Sequence, residues 1–199
     1  MKKHLVLNTQ INETTVDKVA DLLVNESKLT VAVCNANSLV RAYKNNRINK
    51  VLNSFDICTP DGFPVALASR LLYKNSQKRV DGFNLFKRTL EISENKEVTH
   101  FFFGNKEEVV KKIINKFKNS NPNTQIIGYV CPPYLEIDEL LDEKYIKEII
   151  EIQPSIVWVS LGFPKQELFI NDLKNKYNLN SNLVGIGFTF DWISGTKFK

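Results

Sequence analysis

The feature that most constrains this chain is a regular alternation of short apolar runs with longer amphipathic segments. Several runs are apolar on both faces, as in His100-Phe101-Phe102-Phe103 and Ile156-Val157-Trp158-Val159. Continuous apolar runs of this length are typical of strands that are covered on both sides, as in a parallel sheet. The predicted strands cover residues 5–8, 30–35, 55–58, 98–103, 125–130, 155–161 and 183–188.

Four longer segments repeat apolar residues at helical spacing, so that these residues share one stripe. They cover residues 14–26, 107–119, 138–151 and 165–177. Further helices are expected to begin near Ser38, shortly after Asp61, and after the segment 79–84. Strands that alternate with helices predict an α/β fold with a mostly parallel sheet and helices on both faces. A single domain over residues 1–199 is expected, because no linker or internal repeat divides the chain.

Composition excludes several classes of protein. Hydrophobic residues make up 43% and charged residues 25% of the 199 residues, which is the balance of a globular chain rather than of a disordered or collagen-like one. Three widely spaced cysteines argue against a disulfide framework and suit a reducing cytoplasm. No run approaches the roughly 20 apolar residues of a spanning helix, so any membrane contact is expected to be peripheral.

The formal net charge of +5 is compatible with nucleic acid, an anionic membrane or a phosphate-bearing substrate as partner. The basic residues are scattered, so a nucleic-acid-binding arm is not expected. His4 and His100 lie far apart in the sequence and join no cysteine cluster with zinc spacing. No Asp-x-Asp pair is present to hold a metal–diphosphate. We therefore predict neither a metal site nor a cofactor.

Ligands of open α/β sheets bind beyond the carboxyl ends of the strands, so polar residues that follow each predicted strand are site candidates. Asn35 and Asn37 either cap a helix or point an amide into the pocket. Asp61, in a stiff loop between Pro60 and Gly62, is either a turn residue or a general base. A base would need partial burial to bring its pKa towards neutrality.

Two further segments carry weaker signals. Arg79 precedes a predicted helix and either pairs with Asp61 or Asp81 or binds a phosphate through its planar guanidinium. Gly82 provides a sharp turn under either interpretation. Gly104 ends a predicted strand and leads to a helix N-terminus, a junction that can face an anion, although the segment is neither a dinucleotide fingerprint nor a Walker loop.

The hexapeptide 162–167, Gly-Phe-Pro-Lys-Gln-Glu, is the most unusual string in the chain. Gly162 ends a strand, and the proline two residues later suits a first helical turn. We expect Gln166 to face the pocket and Glu167 to complement the dipole of the helix.

Two more candidates follow strands elsewhere. Tyr134, after two consecutive prolines, either stacks on a base or is simply packed in its loop. Asp191 either binds a sugar hydroxyl or caps the turn that follows it.

Taken in order, these motifs resemble the WecG/TagA/CpsF family of bacterial glycosyltransferases from about residue 31 to residue 195. The motifs are Pro60-Asp61-Gly62, Arg79-Val80-x-Gly82, the Gly104 turn, Gly162-x-Pro164-Lys165-Gln166-Glu167 and Phe190-Asp191-x-x-x-Gly195. Each piece alone is modest, whereas the ordered set is specific.

The resemblance implies a Rossmann-like core and an inverting, metal-independent sugar transfer. The donor would be a UDP-sugar, typically UDP-N-acetylmannosamine or its uronic acid, and the acceptor N-acetylglucosamine on undecaprenyl diphosphate. The product would enter teichoic acid, capsule or another surface polysaccharide. The protein would work in the cytoplasm, peripherally on the anionic inner face of the plasma membrane, either as a monomer or as a homo-oligomer.

The resemblance also implies roles for residues. Asp61 becomes the general base, Arg79 contacts a diphosphate or orders the pocket, and Gln166 and Asp191 bind the donor. The remaining substrate-binding residues are expected to be Asn35, Asn37, Gly82, Gly104, Tyr134, Gly162 and Lys165.

The chain departs from the family pattern in two respects. Val33 and Asp81 stand where the family commonly has threonine, so donor preference is expected to differ. The family usually continues past the Gly195 region with a basic segment that is linked to membrane association and supplies arginines to the active site. A chain without that segment is expected to be weakly active and poorly membrane-bound. Two other functions stay open, namely a UDP-binding module without transferase activity and a basic nucleic-acid-binding protein.

Overall fold

A six-stranded parallel sheet forms the centre of the computed structural model, which describes residues 1–196. The sheet has the order β4-β3-β8-β7-β5-β6, and every neighbouring pair is parallel. A separate antiparallel hairpin is formed by β1 and β2. The strands are β1 (Lys3–Val6), β2 (Thr9–Asn12), β3 (Thr30–Cys34), β4 (Ile57–Pro60), β5 (Thr99–Gly104), β6 (Gln125–Val130), β7 (Ile156–Ser160) and β8 (Asn182–Gly185).

Helices cover both faces of this sheet. They are α1 (Val16–Asn25), α2 (Ala36–Lys44), α3 (Asn46–Ser54), α4 (Phe63–Tyr73), α5 (Gly82–Ser93), α6 (Glu107–Ser120), α7 (Ile137–Leu140), α8 (Glu143–Ile152), α9 (Lys165–Lys176) and α10 (Thr189–Ile193). Side chains alternate along each strand between the two faces. Val157 and Val159 thus pack with α2, α3, α8 and α9, whereas Ile156 and Trp158 pack with α1, α5, α6 and α10. The prediction of a Rossmann-like α/β fold is confirmed.

Side-chain caps determine where several helices begin. Thr15 accepts a hydrogen bond from the backbone of Lys18 at the start of α1, and Asn45 caps α3 in the same way. Each cap satisfies a backbone N–H that the helix itself leaves without a partner.

Several predicted boundaries are wrong. Residues 5–8 are not one strand, because Leu7 and Asn8 adopt left-handed φ values of 47° and 61° and turn the chain from β1 into β2. The predicted helix 138–151 is interrupted, since Asp142 caps a new helix at Glu143. The last predicted strand, 183–188, ends early at Gly185.

His100 is a buried core residue rather than a catalytic one. Its Nδ1 accepts a hydrogen bond from Trp158 Nε1 at 3.1 Å, and its Nε2 lies 2.8 Å from Ser93 Oγ. Because an indole N–H only donates, the ring is neutral and carries its proton on Nε2. Burial accordingly lowers the pKa of His100 to about 3.

Membrane-spanning helices are not found in residues 1–196, since none of the helices described there has the length and apolar character to cross a bilayer.

Candidate active site

A cleft of about 780 Å³ opens at the carboxyl edge of the parallel sheet. Segments that directly follow β3, β4, β5, β7 and β8 line it. The site residues proposed from the sequence that lie on its walls are Asn35, Asn37, Asp61, Gly82, Tyr134, Gly162, Lys165, Gln166 and Asp191. Arg79 and Gly104 are not lining residues, but Arg79 contacts Asp61 and Gly104 precedes the lining residue Asn105.

Of two smaller cavities, one adjoins this cleft and the other lies at the opposite edge of the sheet. The adjoining one, of about 540 Å³, shares Tyr134 and Lys165 with the cleft and has apolar walls that include Pro132 and Pro133. The other, of about 420 Å³, lies at the opposite edge of the sheet beside Thr30, where β3 begins. None of the predicted site residues lies in that cavity, so the chemistry is concentrated at the carboxyl edge.

Asp61 lies directly after β4, at one end of the cleft. Its backbone N–H donates to the carbonyl of Cys34 at 2.9 Å, which ties the loop to the end of β3. The side chain keeps 16% of its surface exposed and lines the cleft. Burial raises the pKa of this carboxyl above its ordinary value. A partly buried carboxylate with a raised pKa is suited to accept a proton from a bound hydroxyl.

Arg79 bridges two aspartates. Its Nε donates to Asp61 Oδ1 at 3.2 Å and lies 3.4 Å from Asp81 Oδ2. The guanidinium draws the pKa of Asp61 down, while the Asp81 charge raises it. Asp81 also caps α5, because it accepts a hydrogen bond from the backbone of Asn84 at 3.1 Å. The pairing interpretation of Arg79 is therefore confirmed, and contact with a diphosphate stays a prediction.

Amide side chains from the start of α2 form another wall of the cleft. Asn35 Oδ1 accepts from the backbone N–H of Ser38 at 3.0 Å, so the capping interpretation is confirmed, and the residue also lines the cleft. Asn37 lies exposed in the first turn of the helix. Arg41, one turn later, was missed by the sequence analysis. It lines the cleft, and the spacing of four residues from Asn37 was the available signal.

Gln166 forms part of the floor of the cleft and is 2% exposed. Its Oε1 accepts hydrogen bonds from the backbone N–H groups of Gly162 at 3.2 Å and Gly187 at 3.0 Å. These two glycines belong to the loops that follow β7 and β8, so one amide ties both loops together. Its Nε2 donates to Glu167 Oε1 at 2.9 Å.

Glu167 lies in the first turn of α9, as expected for an acid that complements the helix dipole, but its side chain is buried. It is 1% exposed, and its Oε2 has no hydrogen-bond partner among the described residues. Burial raises the pKa of this carboxyl to about 7. The signal was present in the sequence, because Glu167 lies three residues and Gln166 four residues before Ile170, so the buried stripe of α9 extends back to its first turn.

Asp191 and Asn105, which both line the cleft, are joined by a hydrogen bond. Asp191 Oδ2 accepts from Asn105 Nδ2 at 3.2 Å, and the same amide donates to Ser160 Oγ at 3.3 Å. Asn105 was not proposed as a site residue, although its position after Gly104 marked the end of a strand. Gly104 itself has a φ of 97°, and a Cβ built there would lie 2.6 Å from the carbonyl oxygen of Ser160. The close approach of β5 and β7 at this point therefore requires glycine.

Tyr134 and Lys165 stand together at the mouth of the cleft. Tyr134 is 90% exposed, and Lys165 Nζ lies 3.7 Å from the centre of its ring. Lys165 also donates to the backbone carbonyl of Leu135, which fixes the ammonium beside the aromatic face. The alternative that Tyr134 is packed within its loop is wrong, since its ring is open to solvent.

Gly82 is needed for packing at the base of the site. A Cβ at this position would lie 2.5 Å from Thr189 Oγ1, so α5 and the start of α10 approach closely only because the side chain is absent. Within residues 1–196, no group of three or more histidine, cysteine or acidic side chains is arranged to hold a metal ion.

The fold and the cleft together define an α/β protein whose ligand site lies at the carboxyl edge of a parallel sheet, with carboxyl and amide side chains on its walls. Residues 4–199 match the family described as "Glycosyl transferase WecG/TagA/CpsF family". The chain therefore belongs to this family.

Curated relatives carry a shared name, N-acetylglucosaminyldiphosphoundecaprenol N-acetyl-beta-D-mannosaminyltransferase. The protein of Bacillus subtilis (strain 168) is 31% identical over 165 residues, which are 83% of this chain and 62% of the relative. That of Bacillus spizizenii is 33% identical over 154 residues, 77% of this chain and 58% of the relative. A Staphylococcus aureus protein (strain NCTC 8325) is 24% identical over 201 residues, 96% of this chain and 76% of the relative. The chain thus spans about three-fifths of the length of the two Bacillus relatives.

Proposed function

We propose that this chain transfers N-acetylmannosamine, or a related sugar, from a UDP-sugar to N-acetylglucosaminyl-diphospho-undecaprenol with inversion at the anomeric carbon. The observation that carries the proposal is the Asp61 carboxyl, which lies on the cleft wall with a raised pKa and is held by Arg79. Membership of the glycosyltransferase family and the names of the Bacillus relatives support the choice of substrates.

In this mechanism, Asp61 takes the proton of the acceptor hydroxyl while the hydroxyl oxygen attacks the anomeric carbon of the donor. The new carbon–oxygen bond forms as the bond to the β-phosphate breaks, and the electron pair leaves with UDP. Attack from the face opposite UDP inverts the anomeric centre. General base catalysis of this kind contributes typically about 10²–10⁴-fold to the rate.

In this proposal the nucleotide of the donor lies at the β5–β7 side of the cleft, and its sugar is directed towards Asp61. Four strand-to-strand steps separate β4 from β5 in the sheet, which corresponds to roughly 19 Å at the usual spacing. The N-terminus of α9 opens at this edge, and Lys165 and Arg41 add positive charge. These groups are suited to stabilise the diphosphate of departing UDP.

The same proposal implies where the protein acts and what its product is used for. An acceptor on a polyprenyl diphosphate is embedded in a membrane, so the protein would act peripherally on the cytoplasmic face of the plasma membrane. The product would serve teichoic acid or capsule synthesis. We expect transfer to proceed without an added divalent cation.

The test is an assay of UDP release from UDP-N-acetylmannosamine with a short-chain N-acetylglucosaminyl-diphospho-lipid acceptor, run with and without EDTA. We expect acceptor-dependent UDP release that EDTA does not abolish, and a β-linked product by NMR. The assay is repeated with a basic C-terminal extension like that of the family. UDP binding without transfer under both conditions would instead identify a nucleotide-binding module.

A further inference from the structure

The carboxyl of Glu167 is buried in a way that ordinarily destabilises a fold. It is 1% exposed, one oxygen has no hydrogen-bond partner among the described residues, and the charge of Arg41 acts on it only from a distance. Burying a carboxyl with an unsatisfied oxygen costs free energy. Buried polar atoms without a hydrogen-bond partner are rare in folded proteins, so this one calls for a specific explanation.

The contact that Glu167 does make indicates its role. Its Oε1 accepts from Gln166 Nε2 at 2.9 Å, while the other end of the same amide accepts from the backbone N–H groups of Gly162 and Gly187. The two ends of an amide are alike in shape but opposite in hydrogen bonding. A flipped Gln166 would turn its NH₂ group onto two N–H donors and its oxygen onto Glu167 Oε1, so the acceptor at position 167 adds to the two glycine N–H groups in disfavouring that orientation.

This amide joins the two loops to each other, because it accepts a hydrogen bond from a backbone N–H of each. A Cβ built at Gly162 or at Gly187 would meet nothing within 4 Å, and both residues have positive φ, at 79° and 57°. Hydrogen bonds rather than side-chain packing hold the backbone at these points, because the carbonyl of Gly187 also accepts from Ser160 Oγ at 2.7 Å and that of Gly162 from the backbone N–H of Gln166 at 3.0 Å. The side chain of Gln166 is itself seated against β8, because its Nε2 would lie 3.0 Å from a Cβ at Gly185.

We propose that Glu167 is a positioning residue that fixes the amide orientation of Gln166 and thereby holds the Gly162 and Gly187 loops in the shape that binds the nucleotide part of the donor. The hydrogen bonds that hold the loops are independent of the ligand, whereas the nucleotide as the ligand of these loops rests on the proposed function. Glu167 touches no substrate in this proposal, since it acts through Gln166.

The test compares Glu167→Met, which fills the same volume without an oxygen, with Glu167→Gln, which keeps a carbonyl acceptor. Glu108→Met, in the exposed first turn of α6, is the control. Amide hydrogen exchange at Gly162 and Gly187 is measured in the free protein. We expect exchange at both glycines to accelerate about tenfold in Glu167→Met and to stay within about twofold of the original in the other two variants.

The second readout is UDP affinity by calorimetry. We expect Glu167→Met to melt at the same or a higher temperature and yet to bind UDP about tenfold more weakly, with Glu167→Gln near the original affinity. In a Gln166→Met background, adding Glu167→Met should change the affinity no further, because the residue through which Glu167 acts is gone. Glu167→Leu replaces the methionine variant if that protein does not fold.

Each outcome separates the two proposals. The positioning role is overturned if Glu167→Met leaves exchange at Gly162 and Gly187 unchanged. It is also overturned if Glu167→Gln accelerates exchange as much as Glu167→Met does. If exchange is faster in Glu167→Met but the unsubstituted protein does not bind UDP, the positioning role is supported and the proposed function is not. Faster exchange with unchanged UDP affinity overturns the link between these loops and the nucleotide.

Discussion

Arg79 and Asp61 are joined by a hydrogen bond of 3.2 Å between the guanidinium Nε and the carboxyl Oδ1, so the cation lies behind the acid that faces the cleft. Burial and the charge of Asp81 raise the pKa of Asp61, and Arg79 opposes both. The side chain of Arg79 is 38% exposed, so the contribution of this ion pair to folding stability is small. Its main effect is expected on the proton affinity of Asp61.

Replacing Arg79 with methionine should shift the pH profile of transfer. Without the cation, the pKa of Asp61 rises further, and the base is protonated over a wider acidic range. The acidic limb of kcat/KM should therefore move to higher pH, as measured by UDP release between pH 4 and pH 9. Arg88→Met, which breaks an exposed ion pair with Asp17, is the control. An acidic limb that stays in place would show that Arg79 does not tune the base.

Replacing Glu167 with glutamine should change how stability depends on pH. The folded-state pKa of about 7 exceeds the ordinary value of 4.5, so the carboxyl stabilises the fold in its protonated form below pH 4.5, and this stability is lost as pH rises to about 7. The free energy of unfolding should fall across this window by up to about 1.4 kcal/mol per pH unit relative to Glu167→Gln. Denaturant titrations at several pH values measure the difference. Parallel curves for the two proteins would contradict the raised pKa.

Alanine at Gly104 should be far more damaging than alanine at Gly162. Both residues have positive φ, which costs an alanine about 1–2 kcal/mol. At Gly104 the added Cβ would also lie 2.6 Å from the backbone of Ser160, whereas at Gly162 it would meet nothing within 4 Å. We expect a loss of about 1 kcal/mol for Gly162→Ala and of about 3 kcal/mol or more for Gly104→Ala. Equal midpoints in urea for the two variants would refute this reasoning.

Tyr134 should contribute to donor binding through its exposed ring. Tyr134→Ala removes the aromatic face beside Lys165 Nζ and should weaken UDP binding by about fivefold, while Tyr134→Phe should retain it. Tyr43→Ala is the matched control, because Tyr43 is 59% exposed and lies outside the cleft. Calorimetry with UDP gives the affinities. A similar effect of both alanine variants would remove Tyr134 from the site.

The sequence predicts the sheet well because its strands are buried on both faces. Runs such as 98–103 and 155–161 are apolar without alternation, and they appear as β5 and β7 within a residue or two. The hairpin of β1 and β2 was missed because its turn uses Leu7 and Asn8, and leucine gives no signal for a left-handed turn.

The site is predicted less completely, because its geometry depends on side chains that the fold brings together from distant positions. The rule that ligands bind at strand ends selected Asp61 and Asp191. It did not predict the hydrogen bond between Asn105 and Asp191, which are 86 residues apart in the sequence. The preference of helix starts for acids placed Glu167 in the first turn of α9, but it gave no indication that tertiary packing buries the side chain.

The measurement that tests the proposed reaction most directly compares UDP affinity with the rate of sugar transfer in Asp61→Asn. The substitution keeps the shape of the side chain and removes the base, so we expect UDP affinity within about twofold of the original and a transfer rate at least about 100-fold lower. Asp56→Asn, at the opposite end of β4, should leave the rate unchanged. An Asp61→Asn protein that transfers sugar at the original rate would contradict the role of Asp61 as the base.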